Sequence, residues 1–208
     1  MSTSKSKKAE SKARGYHHGN LRAALVAAGL AALEGEERAE VSLRELARRV
    51  GVSPNAAYRH FADKDALLAA MAAEGFRRFG DAALASQAAP GDAIARLLAY
   101  GRSYVRFARQ NPALFRLMFG TFTASERSEE LTRAGAVTFE ALRAAVAAVA
   151  GLPLDDERTT VGTHYAWSLV HGLSHLILDG QIEGDPDTVT DAVLTLASAA
   201  GAGFRGAG

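Results

Sequence analysis

The sequence predicts an all-α fold of about nine helices, because its composition and its hydrophobic periodicity both favour helix over strand. Alanine, the strongest helix former, supplies 44 of the 208 residues, whereas the β-branched residues valine and isoleucine supply 12 and 3. Apolar residues recur at helical spacing along the chain. Cysteine is absent, which excludes disulfides, thiolate nucleophiles and cysteine-bound metal sites.

Breaks in the helical pattern and residues with capping side chains set the predicted helix bounds. Ser42 and Ser53 stand where an N-cap serine bonds the first turn of a helix, and Glu45 is placed as the capping-box partner of Ser42. Asp63 is the N-cap of a long helix, and Pro112 breaks the pattern after the fifth helix. In chain order, the predicted helices span residues 21–34, 43–50, 54–60, 63–86, 94–108, 114–119, 131–150, 155–178 and 186–200.

These elements divide the chain into three parts. Residues 1–15 form a basic, serine-rich tail that we expect to be disordered, residues 16–62 a helix-turn-helix domain, and residues 63–203 a larger helical domain. Residues 1–70 carry a net charge of +4 and residues 71–208 a net charge of −3. No apolar stretch approaches the roughly 20 residues of a membrane-spanning helix, and the N-terminus does not resemble a signal peptide. We therefore expect a cytoplasmic protein.

A short helix, a turn that begins with Gly51 and a second short helix predict a helix-turn-helix, whose second helix lies in the DNA major groove. Asparagine can pair with adenine and arginine with guanine, whereas tyrosine and histidine can donate to phosphates. Lys64, the one lysine after Lys12, stands at a helix start, where a DNA phosphate would compensate its charge; a solvated lysine is the alternative. The candidate DNA contacts of the second helix are Ser53, Pro54, Asn55, Ala56, Tyr58, Arg59 and His60.

Residues 41–68, with residues 21–33 as the preceding helix, strongly resemble the DNA-binding domain of the TetR family of one-component transcriptional regulators. The resemblance implies an Ω-shaped homodimer in which the second and third helices read DNA and the fourth links them to a ligand-binding core. It also implies a repressor that binds a palindromic operator and is released by a small molecule. The implied phosphate contacts are Ser42, Arg44, Tyr58, His60 and Lys64, and the implied base contacts are Asn55 and Ala56.

Several of these residues keep a second interpretation. Many family members have glycine where this chain has Asn55, which either reads a base or holds the helix farther from the groove floor. His60 could instead cap carbonyls of its own helix. The basic tail either adds attraction to phosphates, enters the minor groove, or only increases solubility.

Residues 167–172 resemble the Trp-His-Gly (WHG) signature of one C-terminal subtype of the family, and the position of Asn111 and Pro112 before an aromatic-rich turn is similar. The resemblance places the last two helices in a four-helix dimer interface. A ligand pocket needs apolar walls with a few polar groups, and ordinary core packing is the alternative for each candidate. The candidate pocket residues are Tyr104, Phe115, Met118, Phe119, Phe122, Trp167 and His171.

Other classes of protein fit the sequence less well. His171 and His175 are four residues apart and could bind a metal, but no third ligand has a useful spacing, so we expect packing and no metal or cofactor. An enzyme is disfavoured because the phosphate loop, the HExxH motif and a complete nucleophile elbow are missing. A sequence-tolerant DNA-packaging protein would suit the basic tail, but the net charge of +1 gives little non-specific affinity for phosphates.

Overall fold

The computed structural model describes residues 21–35, 41–88, 90–120, 122 and 128–204, and these residues form nine α-helices and no strand. The predicted all-α fold is therefore confirmed. The basic tail over 1–15 and the first residues of the predicted helix-turn-helix domain lie outside the described residues. The helices are α1 (Leu21–Glu34), α2 (Leu43–Arg49), α3 (Pro54–Tyr58), α4 (Lys64–Gln87), α5 (Ala93–Gln110), α6 (Pro112–Met118), α7 (Glu129–Ala150), α8 (Glu157–Leu178) and α9 (Pro186–Phe204).

Polar side chains cap the first turns of several helices. Ser53 accepts a hydrogen bond from the backbone N–H three residues later at 3.3 Å, and Asp63 accepts the equivalent bond at 2.8 Å. Asp92 and Ser128 cap α5 and α7 in the same way. These bonds satisfy N–H groups that a helix leaves without an internal partner, so they fix where each helix begins.

The predicted capping box of α2 is wrong. Ser42 occupies the N-cap position, but its side chain makes no capping hydrogen bond. The Glu45 carboxylate instead accepts bonds from Arg48 at 2.7 Å and Arg49 at 3.2 Å. Charged partners three and four residues along the same helix compete successfully for the carboxylate.

Several helix ends differ from the predicted bounds by two residues or more, and three of them have a local cause. The helix α3 stops at Tyr58 rather than His60, because the N–H groups of His60 and Phe61 both turn back to the carbonyl of Ala57. The helix α6 already begins at Pro112, a residue that the first helical position accepts without losing a hydrogen bond. The last helix continues to Phe204 through its glycine and alanine residues, where no proline interrupts it.

The helices α1, α2 and α3 pack around one small core. Leu46, Ala47, Ala57 and Phe61 are each at most 2% exposed at the crossing of these helices. Gly51 adopts a left-handed conformation with φ 76°, which glycine tolerates and which turns the chain sharply between α2 and α3. The small alanines allow the two helices to cross closely, so the outer face of α3 is presented to solvent.

The central helix is α4, which packs against α1, α5, α6 and α7. Residues 69–73 are all buried, and four of these five are alanines. At Gly75 a Cβ atom would lie 2.7 Å from the Met118 side chain of α6, so any larger residue would require that side chain to move. None of the described helices combines the length and apolar character needed to cross a membrane.

Candidate DNA-binding surface and ligand cavity

The residues predicted to contact DNA lie at the surface of the α2–α3 unit and the start of α4. They sit above the buried core of the three N-terminal helices, whose packing fixes their backbone. Tyr58 is 43% exposed although it is a large aromatic residue. Ala56 is partly buried, and the exposed members of the set are Ser42, Arg44, Ser53, Pro54, Asn55, Tyr58, Arg59, His60 and Lys64.

Charge on this surface is partly compensated within α2. Hydrogen bonds from Arg48 and Arg49 lower the pKa of Glu45 to about 2, so the carboxylate stays charged at neutral pH. The two arginines of the last turn are thus engaged with an acid of their own helix. The side chain of Arg44, in the first turn, is exposed and has no acid of α2 bonded to it in the same way.

A cavity of about 490 Å³ lies among α4, α5, α6, α7 and α8. Its volume falls within the range of about 300–1,000 Å³ that is typical of small-molecule sites. Half of its lining residues are aromatic, and among the described residues none that lines it is charged. The arrangement is suited to burying an apolar molecule of moderate size.

The polar groups of the cavity wall are few, and most are bonded to the protein. The Tyr100 hydroxyl donates to the backbone carbonyl of Thr138 at 3.1 Å, and the Thr138 hydroxyl donates to a carbonyl of its own helix at 2.8 Å. The Trp167 indole N–H donates to the Tyr104 hydroxyl at 3.4 Å. The Tyr104 hydroxyl oxygen also lies 2.8 Å from Nδ1 of His171, a residue that does not itself line the cavity.

Burial favours the uncharged forms of Tyr100, Tyr104 and His171. Desolvation raises the pKa of Tyr104 and of Tyr100 above the ordinary value for a phenol. Desolvation, with a smaller contribution from repulsion by His175, lowers the pKa of His171. Both effects favour neutral side chains in and behind the cavity wall.

The structure brings together most of the residues that the sequence predicts for a ligand pocket. Tyr104, Met118, Phe119, Phe122 and Trp167 line the cavity. The other two predicted residues lie behind its wall: Phe115 is 1% exposed and packs on the rings of Tyr104 and His171. The wall residues that sequence reasoning missed include Phe76, Phe79, Tyr100, Thr132, Thr138 and Phe139.

The histidine pair of α8 is part of an aromatic cluster. The rings of His171 and His175 lie 4.7 Å apart, and both contact the Phe115 ring. In the part of the chain that the structure describes, no three histidine, cysteine, aspartate or glutamate side chains are grouped closely enough to hold a metal ion. The contacts of the pair are those of packed side chains.

Comparison with protein families and solved structures gives consistent matches. Residues 25–71 match the family described as bacterial regulatory proteins, tetR family, and residues 97–197 match the tetracyclin repressor-like C-terminal domain. No curated protein matches the chain in sequence. The two family matches cover the DNA-binding surface and most of the helices that enclose the cavity.

A solved protein of unknown function from Rhodococcus sp. RHA1 is 34% identical, with a TM-score of 0.73 over 90% of this chain and 96% of that one. A TetR/AcrR family transcriptional regulator from Thermobifida fusca YX-ER1 is 18% identical, covering 86% and 97% of the two chains with a TM-score of 0.63. A TetR family regulator from Marinobacter aquaeolei VT8 is 22% identical, covering 86% and 94% with a TM-score of 0.62. The last two show a shared fold. On the family matches, the chain belongs to the TetR family of DNA-binding transcriptional regulators.

Proposed function

We propose that the protein is a ligand-controlled repressor, which binds a palindromic operator as a homodimer and is released when a small molecule fills the cavity. The observation that carries this proposal is the course of α4. This helix begins at Lys64, beside the recognition helix, and its residues Phe76 and Phe79 form part of the cavity wall. Lys64 and Phe76 are about 18 Å apart along one continuous helix.

On the DNA side, the proposal assigns different roles to different exposed residues. The hydroxyls of Ser42 and Tyr58 donate to phosphates, together with the cationic side chains of Arg44 and Lys64. Asn55 faces base edges, where its amide can pair with adenine. Support comes from the exposure of these side chains and from the buried core beneath them.

The dimer interface is assigned to α8 and α9. On α8, Val161, Tyr165 and Leu176 are 53%, 54% and 49% exposed, and with Gly172 they lie on one helical face. Leu196 on α9 is 71% exposed. Exposed apolar residues on two helices that follow one another in the chain are consistent with a protein–protein interface.

Ligand binding acts on DNA affinity through the distance between the two helix-turn-helix domains of the dimer. The two helix-turn-helix domains of a dimer must sit about 34 Å apart to meet successive major grooves, so a small tilt of α4 weakens DNA binding. A molecule in the cavity contacts α4 directly at Phe76 and Phe79. Such a ligand changes the distance between the two domains only if it binds more tightly to the conformation with one distance than to the conformation with the other.

The remaining assignments follow from this function. We assign residues 16–62 to the DNA-binding domain and residues 63–203 to the ligand-binding and dimerisation domain. The protein works in the cytoplasm, without a cofactor and without an enzymatic activity. These assignments are supported by the family matches, whose known members are regulators.

Selection of random duplex DNA by the purified full-length protein at physiological salt tests the proposal. We expect enrichment of a palindrome whose half-sites are about one helical turn apart. The Asn55→Ala variant, which keeps the fold-forming core, serves as the matched control and should enrich a less defined sequence. Retention of DNA without sequence preference, with a steep salt dependence, would instead indicate a packaging protein.

A further inference from the structure

We propose that the cavity takes a neutral ligand built of flat rings, held between aromatic side chains and by one hydrogen bond to the hydroxyl of Tyr104. The inference rests on the proposed function and names the chemical class of its effector. Three features of the cavity carry it: the absence of charge from its described wall, the arrangement of its rings, and the bonding of its polar groups.

The lack of charge on the described part of the wall disfavours an ionic ligand. A carboxylate, phosphate or ammonium group in this cavity would lose its water without meeting an opposite charge on the described wall. Burying an unpaired charge costs several kcal/mol, which is enough to prevent tight binding. His171, the nearest titratable base, stands behind Tyr104 rather than in the wall, and desolvation favours its neutral form.

The rings of the wall favour a flat ligand. Phe119 meets Phe76 edge to face at a centroid distance of 5.3 Å and lies 6.2 Å from the Trp167 ring. Phe139 meets Trp167 edge to face at 5.9 Å. Wall rings in different orientations offer both faces and edges, with which aromatic rings of a ligand interact favourably beyond the burial of their area.

The Tyr104 hydroxyl remains for a directional contact, because the other unbonded hydroxyl of the wall, that of Thr132, is at an exposed position. The hydroxyls of Tyr100 and Thr138 donate to backbone carbonyls, so the protein already uses their protons. Tyr104 receives the Trp167 N–H and shares a proton with Nδ1 of His171, which leaves one hydrogen-bonding position on its oxygen. The tautomer of His171 decides whether that position accepts or donates.

A pair of fluorescent probes that differ by one charged group tests the proposal. N-phenylnaphthylamine is neutral and aromatic, and anilinonaphthalene sulfonate adds a sulfonate to the same skeleton. Trp167 is the one tryptophan of the chain and lines the cavity, so quenching of its emission reports binding there. We expect the neutral probe to quench Trp167 and the sulfonate to bind more weakly by about tenfold or more. Equal or tighter binding of the sulfonate would overturn the proposal.

Two matched pairs of variants locate the binding. Gly135→Leu adds a side chain to the cavity wall, near the Phe76 ring, and should abolish quenching by the neutral probe. Ala144→Leu adds the same side chain at an exposed position of the same helix and should leave binding unchanged. Tyr104→Phe should weaken the probe by about 2- to 10-fold, the value of one hydrogen bond, whereas exposed Tyr165→Phe should not.

The outcomes separate this proposal from the proposed function. The probe titrations contain no DNA. If the protein shows no sequence-specific DNA binding, the proposed repressor function is refuted, but the proposed class of ligand is not. Probe affinity that Gly135→Leu leaves unchanged, in a variant that melts cooperatively, would refute the assignment of the ligand to this cavity. Probe affinity that Tyr104→Phe leaves unchanged would refute the hydrogen bond.

Discussion

Arg22 on α1 donates to Glu130 on α7 at 2.5 Å, and this ion pair joins the N-terminal helices to the cavity wall. The Arg22 guanidinium also lies 5.2 Å from the ring centroid of Phe61, the buried residue just beyond α3. Glu130 directly precedes Leu131 and Thr132, which line the cavity. A single arginine thus contacts both the support of the recognition helix and the helix turn that a ligand would touch.

We expect Glu130→Gln to reduce the effect of a cavity ligand on DNA affinity. Glu130 also accepts a hydrogen bond from Arg77 of α4 at 3.1 Å, and because both ion pairs are well exposed, their loss should cost about 1 kcal/mol, or a few-fold in the ligand's effect. The ratio of operator affinities with and without N-phenylnaphthylamine measures this. Glu129→Gln, which removes an ion pair to Arg133 within α7, is the control, and an equal effect of both variants would exclude a role for the ion pairs of Glu130.

Replacing Tyr58 by phenylalanine should weaken binding to all DNA sequences about equally. The side chain is 43% exposed, and its hydroxyl is assigned to a phosphate, so the change removes one hydrogen bond worth about 0.5–1.5 kcal/mol. Asn55→Ala should instead change the preference at one base position of each half-site. Affinities for a panel of operator variants distinguish the two, and a changed sequence preference in Tyr58→Phe would contradict the phosphate contact.

Two glycines of α4 should respond oppositely to alanine. At Gly75 the new Cβ would lie 2.7 Å from Met118 and 2.9 Å from Leu114, so overpacking should destabilise the fold by about 1–3 kcal/mol, less the gain in helix propensity. At Gly80 the nearest atom lies 3.5 Å away, an ordinary contact, so alanine should stabilise by about 0.5–1 kcal/mol. Urea denaturation measures both, and stabilisation of both variants would show that the α4–α6 contact yields easily.

The lowered pKa of His171 makes part of the stability dependent on pH. Since the folded state disfavours the protonated ring, this contribution is present above the unfolded pKa of about 6.5 and is lost as the pH falls below it. The titratable groups that face His171 are Tyr104 and His175. Thermal melting from pH 7 to pH 5 should therefore show a smaller loss of stability in His171→Gln than in the wild type. Exposed His164→Gln is the control and should follow the wild type.

Exposed leucines on different helices test the dimer interface. Leu196 on α9 is 71% exposed and Leu84 on α4 is 62% exposed, so a charge at either position costs the monomer little. We expect Leu196→Glu to shift the protein from dimer to monomer in sedimentation velocity and to weaken operator binding. Leu84→Glu should remain dimeric. A dimer that persists in Leu196→Glu would place the interface elsewhere.

The helices and the DNA-binding surface could be predicted because their signals are local. Ser53 and Asp63 cap the helices that they precede, and Gly51 turns the chain between two short helices, as the sequence suggests. The exposed residues of α3 follow from one contiguous motif. Glu45 was misassigned because its competing partners, Arg48 and Arg49, are equally local and carry charge.

The cavity could be predicted only in part because its wall is assembled from five helices. Phe115 and Phe119 lie four residues apart, yet Phe119 lines the cavity and Phe115 packs behind it. Phe76 and Phe79 have the spacing of ordinary core residues, and nothing in their sequence context separates wall from core. Such a distinction depends on how α4 crosses α5, α6 and α7, which is a property of the tertiary packing.

The central claim is that occupation of the cavity controls DNA binding. The most direct measurement is the affinity for a selected operator duplex, by fluorescence anisotropy, with and without saturating N-phenylnaphthylamine, in the wild type and in Gly135→Leu. We predict that the probe weakens operator binding by about tenfold in the wild type, a coupling of about 1.4 kcal/mol, and has no effect in Gly135→Leu. Unchanged operator affinity while Trp167 emission shows the cavity to be filled would contradict the account.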